Sequence, residues 1–290
     1  MKHFPTIIGT FSIEGDQVHG PRDIEPEEPG GLSDQELRQV RDQMCLYLKE
    51  LRQANLLETK QAVREAVTQD LDIVQAIRCI DDLTRVIDIL GKRLREWYEY
   101  HNPEVSWQCI DHEVFVAKVK DHNIQELMTE YGIDPETSMG KVPRHEDEKA
   151  IRSMAARIDA ITQEKESLKL YMDALMDTVC PNVKAIAGTM LGARLLEHAG
   201  SMQELAELPA STIQLLGAEK ALFRHIRTGA RCPKYGLLLQ HPIVAQQHPK
   251  LKGKAARAIA DKLSIAARVD YYEGDFIGTE LREKLEKRFA

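Results

Sequence analysis

Two long runs of apolar residues, spaced alternately by three and four, constrain this chain more than anything else in it. In the first, Ile73, Ile77, Ile80, Thr84, Ile87, Gly91, Leu94 and Tyr98 keep a heptad seam, and between Val63 and Tyr100 there is no proline and one glycine, Gly91. Val67, Val74, Leu83, Val86, Leu90 and Trp97 widen that apolar face, so this helix is expected to pack against more than one neighbour, with Trp97 and Tyr98 as packing residues where it ends. Asn102-Pro103 stops it, because the residue before a proline is pushed out of the helical region. In the second run, Ile151, Met154, Ile158, Ile161, Lys165, Leu168, Met172, Leu175 and Val179 hold the same alternation, with Lys165 as a polar interruption that fixes register. The acids Glu146, Asp147 and Glu148 suit its start and Pro181 ends it. Two such helices joined by short helices over about 104–145 make an antiparallel coiled-coil hairpin.

The flanks read differently. Residues 6–20, TIIGTFSIEGDQVHG, predict a short hairpin, and the proline-rich acidic stretch 21–31 a linker. A helix is expected from Asp34, behind Ser33, to about Glu58. After Pro181 small residues dominate to Leu208, and Pro209, Gly217, Gly229, Pro233, Gly236, Pro242 and Pro249 divide the rest into short elements. The expected fold class is mainly α. It comprises a small α+β N-terminal domain (1–60), a coiled-coil domain (61–180) and a compact all-α C-terminal domain (181–290). An aromatic content of 6% argues against a β-sandwich.

Several function classes fall away. No run of about 18 apolar residues is present, so no membrane partner is expected. Cys45, Cys79, Cys109, Cys180 and Cys232 form no CxxC pair and read as reduced thiols of a cytoplasmic chain that lacks a signal peptide. His241 and His248 are seven residues apart without a third ligand nearby, so no metal site is expected. There is no GxSxG elbow and no glycine-rich phosphate loop, hence no enzyme and no cofactor. Cys232, beside Arg231, reads as a bystander thiol.

The net charge of −7 hides a strong partition. Residues 217–268 carry eleven Lys and Arg against two acids, Glu219 and Asp261, a local charge of +9 that leaves −16 on the rest. Phosphate is the natural partner of such a window, because neutralising it releases condensed counterions. Arg224, Arg227, Arg231 and Lys234, in and around a Gly/Pro-bounded loop, are the leading RNA candidates. His225 and Tyr235 could stack on bases or simply pack. Glu219 and Lys220 fit either a binding turn or a helix cap behind Gly217. Gln240 and His241 follow Leu237-Leu238-Leu239, where they either read a base edge or 2′-OH or form a buried hydrogen-bonded pair. Lys252, Lys254, Arg257 and Lys262 follow a helical spacing suited to phosphate contacts.

The stretch LGAEKALFRHIRTGARCPKYGLLLQHP (216–242) resembles the signature of the Nop domain, the RNA- and protein-binding module of box C/D ribonucleoproteins. Residues 188–220 and 252–272 are similar to flanking blocks of that family. Residues 64–104, with LREWY and the following His-x-Pro-Glu, resemble the first coiled-coil helix of archaeal Nop proteins, and TSMG (137–140) the tip before the second. The resemblance implies a non-catalytic scaffold that dimerises through its coiled coil. It also implies recognition of a box C/D-type guide RNA whose kink-turn is held by a kink-turn-binding ribosomal protein, in support of ribose 2′-O-methylation by fibrillarin. About 60 residues precede the first long helix, fewer than the family's N-terminal domain, and the chain ends at Ala290 without a lysine-rich tail; these departures bear on fibrillarin docking. The alternatives are a fibrillarin-free paralogue on a kink-turn particle and a protein-only coiled-coil adaptor.

Overall fold

The computed structural model describes residues 2–14, 17–22 and 33–289. Their contacts divide them into two compact units, Met1–Thr68 and Gln69–Ala290.

In the first unit, β1 (Lys2–Thr6), β2 (Gly9–Glu14) and β3 (Gln17–Arg22) form an antiparallel meander with β2 central. Phe4 faces Phe11 and Ile13 faces Val18 across it. The sequence predicts only a hairpin over 6–20, and the strand before it, which contains Pro5, is additional. β1 is an edge strand, where proline costs no ladder hydrogen bond, so a third strand forms. The expected turn at 15–16 and most of the expected linker lie outside the described residues, and Pro21 and Arg22 belong to β3. Phe11 and Ile13 pack on Val40 of α1 (Asp34–Met44). That helix starts at a capping box in which Ser33 N–H donates to Glu36 and Glu36 N–H to Ser33 Oγ. The Ser33 N–H and then Lys2 hold the Glu36 carboxyl at about 2. After a 3₁₀ turn, α2 (Leu48–Glu65) runs seven residues past the expected Glu58 and has no buried residue.

In the second unit, α3 (Gln69–Tyr98) and α7 (His145–Val179) are the expected long helices and pack together. α3 begins six residues later than the proline-free run allows. The chain breaks at Ala66–Thr68, so Val63 and Val67 lie outside the helix and are exposed. Between the two run α4 (Pro103–Gln108), α5 (His112–Asp121) and α6 (Ile124–Glu130), capped by Asn102, Asp111 and Asn123. They bury Phe115, Val119 and Leu127 against Leu94, Tyr98, Ile151 and Ile158. Tyr98 and Phe115 meet edge to face at 5.3 Å, and the Arg95 guanidinium lies 4.3 Å above Phe115.

The seam departs from the simple heptad. On α7, Ile151, Ile158, Lys165 and Met172 are buried, but so are Ala155 and Met176, whereas Met154, Ile161, Leu168 and Leu175 are only half-buried. The buried stripe is rotated because α7 packs against α3 and α5 together. Lys165 reaches out of that stripe to Glu113 of α5 at 3.4 Å. On α3, Ile73, Ile77, Ile80 and Leu94 are buried, while Thr84 is exposed and Ile87 half-buried. The hairpin is closed at its two ends and open in its middle.

The remaining helices are α8 (Pro181–Ala187), α9 (Thr189–Ala199), α10 (Met202–Glu207), α11 (Ala210–Ile213), α12 (Glu219–Thr228), α13 (Pro242–Gln246), α14 (Lys252–Tyr271) and α15 (Gly278–Phe289). α14 is the axis: Ala255, Ala256, Ile259, Ala260, Leu263, Ala266 and Ala267 are buried, and α8, α10, α11, α13 and α15 pack around it. This core is continuous with Ile73, Ile77, Met172 and Met176 at the base of the hairpin. Asp270 stitches it by accepting from Asn182 N–H, Asn182 Nδ2 and Val183 N–H. Arg78–Glu197 and Arg194–Asp81 ion pairs, at 3.1 and 3.0 Å, fasten α9 to α3.

Candidate nucleic-acid interface

Most cations of the basic window lie in three pieces of it: α12, the loop 229–236, and the segment that leads into and begins α14. Gly217 and Gly229, with φ of +81° and +67°, turn the chain into and out of α12, conformations that favour glycine. The loop is held against the preceding turn by two backbone bonds, Gly236 N–H to Gln214 O at 3.1 Å and Leu237 N–H to Leu216 O at 2.8 Å. The approach is so close that a Cβ at Gly236 would lie 1.9 Å from Leu216 O.

Between loop and α14 lies an open groove of about 530 Å³, lined by Arg231, Cys232, Pro233, Lys234, Lys250, Gly253, Lys254 and Arg257, with Gln214 at its floor. Five of these residues are cationic and none is acidic. Among the described residues none of Arg231, Lys234, Lys250, Lys254 and Arg257 makes an ion pair, although many cations elsewhere in the chain do. Unpaired cations held on one concave surface are suited to a polyanion's phosphates and confer no base preference by themselves.

α12 offers a second surface. It has no buried residue: Lys220, Arg224 and Arg227 are exposed, and so are Phe223 (64%) and Ile226 (69%). A face that is both apolar and basic is suited to a protein partner bound beside nucleic acid. His225 instead turns back, its Nδ1–H donating to Ala230 O to close the helix end. Glu219 is exposed but accepts the Gly217 N–H at 2.6 Å and faces His198 at 3.6 Å, so it braces the turn. Tyr235 packs partly into the core.

The other expected residues separate. His241 is buried: Nε2–H donates to Ile186 O at 2.9 Å and Nδ1 accepts the Ile243 N–H at 3.2 Å, capping α13. Burial lowers its pKa and keeps the ring neutral, so it offers no edge to a ligand. The signal in the sequence was Pro242, since proline is favoured at the first position of a helix and that puts His241 at its cap. Gln240 is exposed and accepts from Arg194 at 3.1 Å. Of the four spaced cations on α14, Lys254 and Arg257 line the groove, whereas Lys252 and Lys262 are half-buried and outside it, Lys262 pairing with Asp261 at 3.0 Å. Lys250, which precedes the helix and so falls outside any helical spacing, does line the groove; the absence of acids around it was the available signal. Among the described residues no group of three His, Cys, Asp or Glu could hold a metal ion, and no helix is long and apolar enough to cross a membrane.

The family profile described as Nop, "snoRNA binding domain, fibrillarin", matches residues 79–290. An uncharacterized NOP5 family protein of Methanocaldococcus jannaschii is 38% identical over 79% of this chain and 59% of its own length. Nucleolar protein 58 of Scheffersomyces stipitis is 36% identical over 93% of this chain and 54% of its own, and nucleolar protein 56 of Caenorhabditis elegans 35% identical over 74% and 50%. The chain thus spans between half and three fifths of the length of these curated relatives. A chain in a crystal structure of a fibrillarin/Nop5p complex shares the fold, with a TM-score of 0.50 at 21% identity over 99% of this chain and 98% of that one.

Proposed function

Because this chain belongs to the Nop family, we propose that it is a non-catalytic scaffold of a box C/D-type ribonucleoprotein. The observation that carries this reading is the groove with five unpaired cations and no acid, inside the segment that the snoRNA-binding profile matches. Arg231, Lys234, Lys250, Lys254 and Arg257 take the sugar–phosphate backbone of a guide RNA; these contacts position the RNA, and its kink-turn shape supplies selectivity. The outer face of α12, with Phe223, Ile226, Lys220, Arg224 and Arg227, meets the kink-turn-binding protein that already holds that RNA. The interface is divided between the two partners, so neither RNA nor protein alone binds tightly.

Two further partners belong to the same proposal. A second copy covers the open middle of the hairpin rather than its buried seam, where Ile161 and Leu168 are half-buried and Ile89 and Leu170 are 66% and 74% exposed. Fibrillarin docks on the N-terminal unit, which carries the three-stranded sheet; retention of fibrillarin on size exclusion at micromolar concentration tests that part by itself.

The test of the main reading is a fluorescence-anisotropy titration of this chain into a kink-turn RNA, with and without a kink-turn-binding protein. The proposal expects tight binding only in the ternary mixture. Equal, weak binding in both arms contradicts it, as does methyl transfer by the chain with S-adenosylmethionine alone.

A further inference from the structure

Gln214 is a buried polar side chain (8% exposed) that no charge or motif argument selects, yet it sits at the floor of the cationic groove. Its Nε2 donates to the Lys234 carbonyl at 2.5 Å, and its Oε1 accepts from Arg257 Nε at 3.5 Å. Its backbone carbonyl also takes the Gly236 N–H at 3.1 Å. One residue therefore touches both walls: the loop that carries Arg231 and Lys234, and the helix that carries Lys254 and Arg257. Gly253 completes the fit, since an added Cβ there would meet the Lys234 stem at 3.6 Å, so that stem lies directly along α14.

From this geometry we infer that Gln214 is the positioning residue of the groove, setting the separation of its two cationic walls and the direction of the Arg257 guanidinium. The inference rests on the groove's being the RNA-phosphate surface proposed above. Long Lys and Arg side chains lose rotamer entropy when a ligand fixes them, and an anchor that pre-orders part of the site reduces that cost. A carboxylate at the same place would hold Arg257 equally well but would put a negative charge beside the phosphates. The neutral amide, one donor and one acceptor, serves both walls without that repulsion.

The test is Gln214→Met, which keeps the volume and removes both side-chain hydrogen bonds, measured by anisotropy on a kink-turn RNA with its kink-turn-binding protein over 50–300 mM salt. The expected result is a log K–log[salt] slope flatter by about one to two phosphate contacts, at roughly 0.7–0.9 per contact, in a variant that far-UV circular dichroism shows to be folded at the assay temperature. In an R257A/K234A background, adding Q214M should cost less affinity than it does in the wild type, because two of the four wall cations it positions are gone. Gln214→Asn, an amide one methylene too short to reach both walls, gives the same flattening and serves if Q214M does not fold. A wild-type slope in both variants, or an undiminished loss in the R257A/K234A background, overturns the inference. A wild-type protein whose binding is itself salt-independent would instead sink the groove reading, so the two failures are distinguishable.

Discussion

His241→Ala separates a structural histidine from an RNA-reading one. The substitution removes the α13 cap, worth about 1 kcal/mol, and leaves the Ile186 carbonyl, now bonded at 2.9 Å, unpaired and buried at about 1–3 kcal/mol. The total, roughly 2–4 kcal/mol, corresponds to a drop of about 4–16 °C in the thermal midpoint of a unit of this size. The ring adds a pH signature. Burial holds its pKa below the ordinary 6.5, so the neutral ring's contribution is present above pH 6.5 and is lost as pH falls toward the lowered folded value. Thermal melts followed by circular dichroism from pH 8 down to pH 5 should show wild-type stability falling below pH 6.5 and H241A lacking this step. His241→Asn, which keeps a capping side chain, should recover about 1 kcal/mol. RNA affinity at a temperature where both proteins are folded should be unchanged. An unchanged midpoint with lost RNA affinity would refute this reasoning and return His241 to the ligand.

Three further outcomes are expected. Gly236→Ala forces a Cβ to within 1.9 Å of Leu216 O, so the loop must peel from its turn; stability should fall by about 1–3 kcal/mol and RNA affinity with it, read by melts and anisotropy. Phe223→Ala with Ile226→Ala, both exposed, should leave stability within about 0.5 kcal/mol but weaken capture of the kink-turn RNA–protein particle about tenfold or more in a pull-down titration. At the tip, burial alone would raise the Glu104 carboxyl, but the Met139 N–H and Ser138 hydroxyl hold it below its ordinary value. Its stabilisation is therefore present above about pH 4.5 and lost as pH falls through the lowered value, so Met139 amide exchange should accelerate there, and Glu104→Gln should abolish that step.

What the sequence revealed and concealed follows from locality. α7 was bounded correctly to within a residue or two, because its acids at 146–148 and Pro181 act on their own neighbours. The start of α3 was not, because no glycine or proline marks Ala66–Thr68. Which α7 residues are buried depends on α5, a non-local neighbour, so the large apolar Met154 and Leu175 lost their places to Ala155 and Met176. The basic window was legible as composition, yet composition could not place Lys250 and Lys254 in one groove, or Lys252 and Lys262 outside it. Gln214 carries no charge and lies at the edge of the family-like block, so only the fold could bring it to the groove floor.

The most direct test of the RNA-scaffold account is a map of contacts. A kink-turn RNA substituted with 4-thiouridine, bound with its kink-turn-binding protein and irradiated, should cross-link to this chain within residues 231–234 and 250–257, as read by mass spectrometry. Adducts confined to the N-terminal unit or to the coiled-coil hairpin, or none at all on this chain in a fully formed particle, would contradict it.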